Sequence, residues 1–112
     1  MALSADILRG YTDTIILAQL SRQDSYGYQI NKSLAAITQG VVEMKEATLY
    51  TAFRRLENAG LIHSYWGNEQ SGARRRYYGI TDDGHTKLSN DLQAWKETKT
   101  TIDLLLEDNQ DE

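Results

Sequence analysis

The sequence contains no cysteine and no proline, and none of its apolar runs approaches the length of a membrane span. The missing cysteines exclude disulfide bonds and thiolate chemistry within this chain. The N-terminus lacks a signal-peptide pattern, so we expect a soluble, cytoplasmic protein. No Gly/Ser-rich linker or internal repeat divides the 112 residues, which suit one domain. The core of such a domain is modest, so association with a second copy is expected.

Patterns that indicate catalysis are also missing. His63 and His85 are isolated, without the spacing of a metal site, and neither a phosphate-binding glycine loop nor a nucleophile motif is present. Asp82 and Asp83 are explained by the start of a helix, where carboxylates complement the positive end of the helix dipole. We therefore predict that the protein is not an enzyme and binds neither a metal nor a cofactor.

Residues 46–60 carry the most informative pattern. At about 100° per residue, one arc of a helix here is apolar and should be buried, formed by Leu49, Phe53 and Leu56 with Ala52 and Ala59 beside them. Gly60 then ends the helix in the manner typical of a C-terminal glycine.

The opposite arc of this helix is polar but has no carboxylate, whereas a solvated face usually mixes both signs. We call it the reading arc, and it comprises Ala47, Tyr50, Thr51, Arg54 and Asn58. Arginine reads guanine edges, asparagine reads adenine, and hydroxyl groups bond phosphates or bases. We therefore predict that the helix enters the major groove of double-stranded DNA, together with three neighbours, Lys45, Thr48 and Arg55.

A β-hairpin is predicted directly after this helix. Residues 61–66 and 75–80 are rich in β-branched and aromatic side chains, and residues 67–73 have the composition of a loop. Arg74 and Arg76 should lie on one side of the second strand and Arg75 on the other. Because no acid interrupts this triplet, a phosphate partner is favoured, although a solvated charge run is the plain alternative. A helix followed by a hairpin is typical of a winged helix-turn-helix, in which residues 61–80 form the wing.

Two further helices precede the predicted reading helix. The first begins near Ala5 after a cap at Ser4 and is apolar on two faces, which implies burial both in its own domain and elsewhere. Gly10 could bend it. The second runs from about residue 25 to residue 37, capped by Asp24 or Ser25. Its predicted apolar positions are Tyr28, Ile30, Leu34 and Ile37, and residues 41–44 could add a short strand to the hairpin.

The last predicted helix starts after Thr81, a favourable N-cap. Its apolar residues follow a 4-3-7-4 spacing that forms an a/d seam with Lys99 as the polar member: Leu88, Leu92, Trp95, Ile102 and Leu106. The winged domain does not need so long a helix, so the seam is predicted to pack on a second subunit. The resulting organisation is mainly α with a small β-hairpin: a winged helix-turn-helix at 1–80, a dimerisation helix at 81–108 and an acidic tail at 109–112.

The net charge of −4 is unevenly distributed. Residues 45–80 hold six Lys or Arg against three Glu, whereas the last six residues hold four acids and no base. A basic reading surface on an acidic body suits specific DNA binding. The alternative is a winged-helix adaptor that binds only protein, which would carry apolar or mixed-charge residues on the reading arc.

Several short motifs resemble those of the PadR family of transcriptional regulators, in its short form with one C-terminal helix. They span residues 7 to about 106: Leu8-Arg9-Gly10, Tyr26-Gly27-Tyr28, Ala47-Thr48-Leu49-Tyr50-Thr51, Arg54-Arg55-Leu56-Glu57, Gly60-Leu61-Ile62, Arg75-Arg76-Tyr77-Tyr78 and Thr81-Asp82-Asp83-Gly84. The sequence is most similar to the multidrug-resistance branch, through residues 46–51, residues 64–67 and Trp95.

This resemblance implies a homodimeric repressor of a roughly palindromic operator. It implies an interface formed by the first and last helices: Leu8, Tyr11, Ile15, Leu88, Leu92, Trp95, Ile102 and Leu106. It also implies a pore in which paired tryptophans stack planar aromatic effectors, lined by Ile7, Thr14, Leu88, Asp91, Leu92, Trp95 and Lys99. Lys99 replaces an acid of that branch and would repel cationic drugs, so an anionic effector, or none, is an alternative.

Overall fold

The computed structural model describes residues 5–68 and 74–107 and follows the predicted order of elements. The helices and strands are α1 (Ala5–Arg9), α2 (Thr12–Arg22), α3 (Gly27–Thr38), α4 (Glu46–Asn58), β1 (Ile62–Trp66), β2 (Arg76–Ile80) and α5 (Asp82–Glu107). The strands form an antiparallel hairpin, so the predicted winged helix-turn-helix with a long C-terminal helix is confirmed. The predicted cap at Ser4, loop residues 69–73 and acidic residues 108–112 lie outside the described residues.

The apolar arc of α4 forms the centre of the core. Leu49, Ala52, Phe53 and Leu56 are buried as predicted, and the Phe53 ring stacks on Tyr78 of β2 with centroids 4.0 Å apart. The rest of the core comes from α2, α3, the hairpin, the start of α5 and the segment before α4: Ile16, Leu17, Leu20, Ile30, Leu34, Val42, Met44, Ile62 and Leu88. The arc therefore holds α4 in a fixed orientation against the rest of the domain.

The C-terminus of α4 ends at a glycine, as predicted. Gly60 has φ +76°, and its N–H donates to the Glu57 carbonyl, while the Leu61 N–H donates to the Leu56 carbonyl. This is the Schellman arrangement, which satisfies the last carbonyl groups of a helix. The predicted burial of Ala59 was wrong, because the helix has already ended and Ala59 is an exposed cap residue.

The predicted first helix is divided into α1 and α2 at Gly10 and Tyr11, the point at which a bend was predicted. The Tyr11 N–H and the Thr12 hydroxyl both donate to the Leu8 carbonyl and thereby join the two short helices. One face of α2, formed by Ile16, Leu17 and Leu20, is fully buried. Leu8 and Ile15 pack on the edge of the core and remain partly exposed.

Two predictions about α3 and its surroundings were wrong. Neither Asp24 nor Ser25 caps α3, because the N-cap residue is Tyr26 and no side chain makes a capping hydrogen bond. Ser25 instead pairs with Tyr78 through two backbone hydrogen bonds of 2.8 and 3.1 Å. Ser25 thus adds a backbone pairing to the hairpin, whereas residues 41–44, predicted to add a short strand, do not. The side-chain amide of Asn31 bonds the backbone of Met44 there. Tyr28 and Ile37, predicted to be apolar positions of the helix, are exposed.

Only the first turns of α5 belong to the core. The Thr81 hydroxyl accepts a hydrogen bond from the Gly84 N–H at 3.1 Å, as the predicted N-cap requires, and Leu88 is only 7% exposed. Every residue from Leu92 to Glu107 is exposed, and the longest dimension of the molecule is 65 Å. The far part of α5 therefore has no cover within its own chain. In the described part of the chain, no helix combines the length and apolarity needed to cross a membrane.

At Gly84, α5 packs closely against the wing. A Cβ atom at this position would overlap the Leu61 carbonyl oxygen and lie 2.6 Å from Ile80 Cγ1. Gly84→Ala should therefore lower the free energy of unfolding by about 1–3 kcal/mol, as overpacking does. Urea denaturation measures the change. Gly10→Ala is the matched control, because its Cβ would meet no atom closer than 3.9 Å. Equal stability of the two variants would contradict this account.

Candidate nucleic-acid interface

The reading arc of α4 is exposed along its whole length. Ala47, Tyr50, Thr51, Arg54 and Asn58 all face solvent, because the apolar arc on the other side of α4 anchors the helix to the core. The Tyr50 ring leans edge-on against Phe53, so a core residue orients an exposed one. Arg54 makes no salt bridge or hydrogen bond with any other described residue. The arc therefore presents a guanidinium, an amide and two hydroxyl groups and contains no carboxylate of its own.

Arg55 differs from Arg54, although the two are neighbours in sequence. Its Nε donates to the Asp13 carboxylate of α2 at 3.2 Å, and its Nη2 bonds the other oxygen of the same carboxylate. This bidentate hydrogen bond raises the pKa of Arg55. The guanidinium thus joins α4 to α2 within the subunit, and the predicted role of Arg55 in DNA binding stays a prediction. Lys45 and Thr48 are exposed at the start of α4.

The wing arginines lie on opposite sides of the hairpin, as their alternation predicts. The guanidinium carbons of Arg74 and Arg76 lie 5.2 and 5.7 Å from the ring centroid of Trp66, whereas Arg75 lies 4.9 Å from the ring of Tyr26. Each distance falls within the range of a cation–π contact. The three side chains are therefore held by aromatic rings, although all three residues are exposed.

Arg76 is further tied to the C-terminal part of α4. Its Nη2 donates to the Ser64 hydroxyl at 2.8 Å and lies 3.8 Å from Glu57 Oε1. Ser64 in turn donates to Glu57 Oε2 at 2.6 Å. Arg76 was predicted to be a DNA contact, but these bonds within the subunit direct its guanidinium toward α4. That Arg74 and Arg75 bind phosphate stays a prediction.

A groove of about 670 Å³ separates the wing from α4. Its lining combines cations with aromatic rings: Tyr26, Gly27, Tyr28, Tyr50, Trp66, Arg74, Arg75 and Arg76. Sequence reasoning missed Tyr26, Tyr28 and Trp66 as site residues. Tyr28 was counted only among the apolar positions of α3, and the proximity of Tyr26 to Arg75 depends on the pairing of Ser25 with β2. Of these three residues, only Trp66 could have been recognised from the sequence as a site residue, because it lies on a predicted strand directly before the predicted loop.

The residues predicted for the subunit interface lie along α5 and near α1. Leu92 and Trp95 are 44% and 42% exposed, and Ile102 and Leu106 are more exposed still. Trp95 contacts the edge of the Tyr11 ring at a centroid distance of 5.4 Å. Leu88 needs correction as an interface and pore residue, because its side chain is already buried in the core of its own subunit. Ile7 and Lys99 are exposed.

Two polar residues predicted to line a pore bond each other within the subunit. The Thr14 hydroxyl donates to Asp91 Oδ2 at 2.7 Å, and Lys87 donates to Asp91 Oδ1 at 2.7 Å. Partial burial raises the pKa of Asp91, but the hydrogen bonds from Lys87 and Thr14 lower it more, so the net pKa lies below its usual value. Asp91 is therefore a charged link between α2 and α5, and its polarity does not by itself require a solvent-filled pore.

A helix with an exposed arginine-bearing face beside a β-hairpin wing is the arrangement of a winged helix-turn-helix DNA-binding protein. Residues 16–90 match the family model described as the Transcriptional regulator PadR-like family. The chain belongs to the PadR-like family of transcriptional regulators and is a DNA-binding protein. The alternative of an adaptor that binds only protein is thereby set aside. The closer similarity to a multidrug-resistance branch stays a prediction.

Relatives of known structure extend over most of the chain. A transcriptional regulator from Clostridium thermocellum is 45% identical, with a TM-score of 0.82, and the match covers 88% of this chain and 96% of that one. A PadR family regulator from Eggerthella lenta is 36% identical, with a TM-score of 0.80 and coverage of 91% and 87%. An uncharacterised protein of Lysinibacillus sphaericus is 42% identical over 103 residues, which make up 92% of this chain and 94% of that one.

Proposed function

We propose that the protein is a homodimeric transcriptional repressor that reads a roughly palindromic operator with the two copies of α4. The observation that carries this proposal is the exposed, carboxylate-free reading arc. Arg54 within the arc and Asn58 at its C-terminal end match the hydrogen-bonding groups of guanine and adenine in the major groove. The small side chain of Ala47 lets the start of α4 approach the bases closely.

The wing supplies the contacts that do not depend on sequence. Arg74 and Arg75 project from opposite sides of the hairpin, beside the groove that separates it from α4. Their charges are suited to phosphate groups on either side of the reading helix, and such contacts set affinity and register but carry no base information. Base recognition and backbone recognition are thus divided between α4 and the wing.

The second subunit is proposed to cover the exposed apolar residues of α5. Leu92, Trp95, Ile102 and Leu106, which we call the outer seam, lie on one side of the helix at heptad spacing. Large apolar side chains repeated over several turns are costly to leave in water. A symmetric partner covers them and places two copies of α4 on one face of the DNA.

Arg54→Ala should weaken operator binding by about 1–3 kcal/mol and relax the base preference at one position in each half-site. The physical reason is that Arg54 is free to bond a base edge. The measurement is a selection of bound fragments from a random DNA pool, followed by titration of the selected duplex. Arg55→Ala is the control and should keep the base preference, because Arg55 is bound to Asp13. A uniform loss over all sequences would instead make Arg54 a phosphate contact.

Leu92→Glu should produce monomers that lose operator binding, because the carboxylate would be buried against the apolar surface of the partner. Sedimentation velocity measures the oligomeric state, and an operator titration follows binding. Leu104→Glu is the matched control, because Leu104 is more exposed than Leu92 and lies on the opposite side of α5 from the outer seam. It is about 160° around the helix from Leu106, a member of that seam. An intact Leu92→Glu dimer would refute the outer seam as the interface.

A small-molecule effector is the second part of the proposal. Trp95 is half-exposed and contacts Tyr11, so two symmetry-related copies could stack a planar aromatic molecule between the subunits. Two adjacent residues of α2 connect it to the other helices: Asp13 bonds Arg55 of α4, and Thr14 bonds Asp91 of α5. A shift of α5 caused by such a ligand would therefore reach the reading helix through α2 and release the DNA.

Planar aromatic dyes should quench the fluorescence of Trp95 when Trp66 is replaced by phenylalanine, which leaves Trp95 as the remaining tryptophan. Lys99 lies one turn after Trp95, so Lys99→Asp should raise the affinity of a cationic dye roughly fivefold, equivalent to about 1 kcal/mol of charge interaction. Lys96→Asp makes the same charge change about 100° around the helix from Trp95 and is the control. Absence of quenching in both the parent and Lys99→Asp would leave Trp95 as a packing residue.

A further inference from the structure

The indole of Trp66 contacts two wing arginines and lies outside the hydrophobic core. Trp66 is paired with Arg76 directly across the hairpin, and Arg74, two residues before β2, reaches the same ring. The side chain is 52% exposed. Core packing therefore does not account for a tryptophan at this position.

One of the two arginines is fixed from α4. Glu57, on the last turn of α4, accepts a hydrogen bond from Ser64, and the Ser64 hydroxyl accepts one from Arg76. Because Arg76 is held at this point, the indole that contacts it is held too. The contacts thus run from α4 through Glu57, Ser64 and Arg76 to Trp66, and end at Arg74.

Arg74 differs from the other members of this set. The described residues offer it the Trp66 ring and no carboxylate, so its charge stays available for an anion. A long arginine side chain loses rotamer freedom when it binds, and a ring that already restricts the guanidinium reduces that loss. The planar guanidinium suits stacking on a ring and bidentate bonding to phosphate.

We propose that Trp66 is a positioning residue for DNA binding, which holds the Arg74 guanidinium in place for the phosphate backbone and sets its position relative to the reading helix. This inference rests on the proposed contact of the wing with DNA. It gives the exposed tryptophan a role in affinity that acts through Arg74. Trp66 itself need not touch the nucleic acid.

The test uses the full-length protein and its selected operator duplex, with titrations at several salt concentrations. Arg74→Gln should reduce the slope of log K against log salt by about 0.9 for each subunit, as the loss of one phosphate contact requires. Trp66→Leu should weaken binding about fivefold or more for specific and random duplexes alike, while the urea midpoint stays unchanged. Trp66→Phe retains an aromatic ring and should restore most of the affinity.

The decisive variant combines Trp66→Leu with Arg74→Gln. If Trp66 acts through Arg74, the double variant binds no more weakly than Arg74→Gln alone, because coupled residues are not additive. Additive losses would mean that Trp66 contacts DNA itself and would overturn the inference, as would unchanged binding by Trp66→Leu. An unchanged salt slope in Arg74→Gln would instead refute the proposed wing contact, and the role of Trp66 with it. The two failures are therefore distinguishable.

Discussion

Burial of the apolar arc of α4 is the constraint on which the rest of the structure depends. Leu49, Phe53 and Leu56 are almost completely removed from water, and the stack of Phe53 on Tyr78 joins this helix to the wing. Tyr78 also carries the backbone pairing with Ser25 that fixes the start of α3. A helix held so firmly on one side can present its other side, the reading arc, as a rigid surface. The reading arc and the wing are therefore kept in register by packing in the core.

Charge pairing within the subunit distinguishes the arginines of α4 and the wing from one another. Arg55 is neutralised by Asp13, and Arg76 is directed toward Ser64 and Glu57, whereas Arg54 is left without such a partner among the described residues. A bidentate or networked guanidinium has already used the geometry that a base edge or phosphate would need. The same pairs serve the fold, because one joins α4 to α2 and the other joins α4 to the wing.

The long helix α5 has two physically distinct parts. Its first turns are anchored by the Thr81 cap, the close approach of Gly84 to Leu61 and the burial of Leu88. Beyond Asp91 it leaves the domain, and its apolar residues face solvent. At the boundary between the two parts, Asp91 bonds Thr14 of α2, and Asp13, the residue before Thr14, bonds Arg55 of α4. This boundary is therefore also where α5 is connected to the reading helix. In the proposed function, a change at the dimer interface would travel by this route.

The sequence by itself determined the order of elements, the buried and exposed arcs of α4 and the alternation of the wing arginines. It also placed the ends at Gly60 and Thr81. These features depend on periodicity and local capping, which neighbouring residues specify. Only the tertiary structure decided that Arg55 and Arg76 are engaged within the subunit, that Leu88 is a core residue, and that Ser25 pairs with β2. These outcomes depend on contacts between residues far apart in the chain. Asp13 and Arg55 meet because both α2 and α4 pack on one core, and no local pattern encodes that meeting.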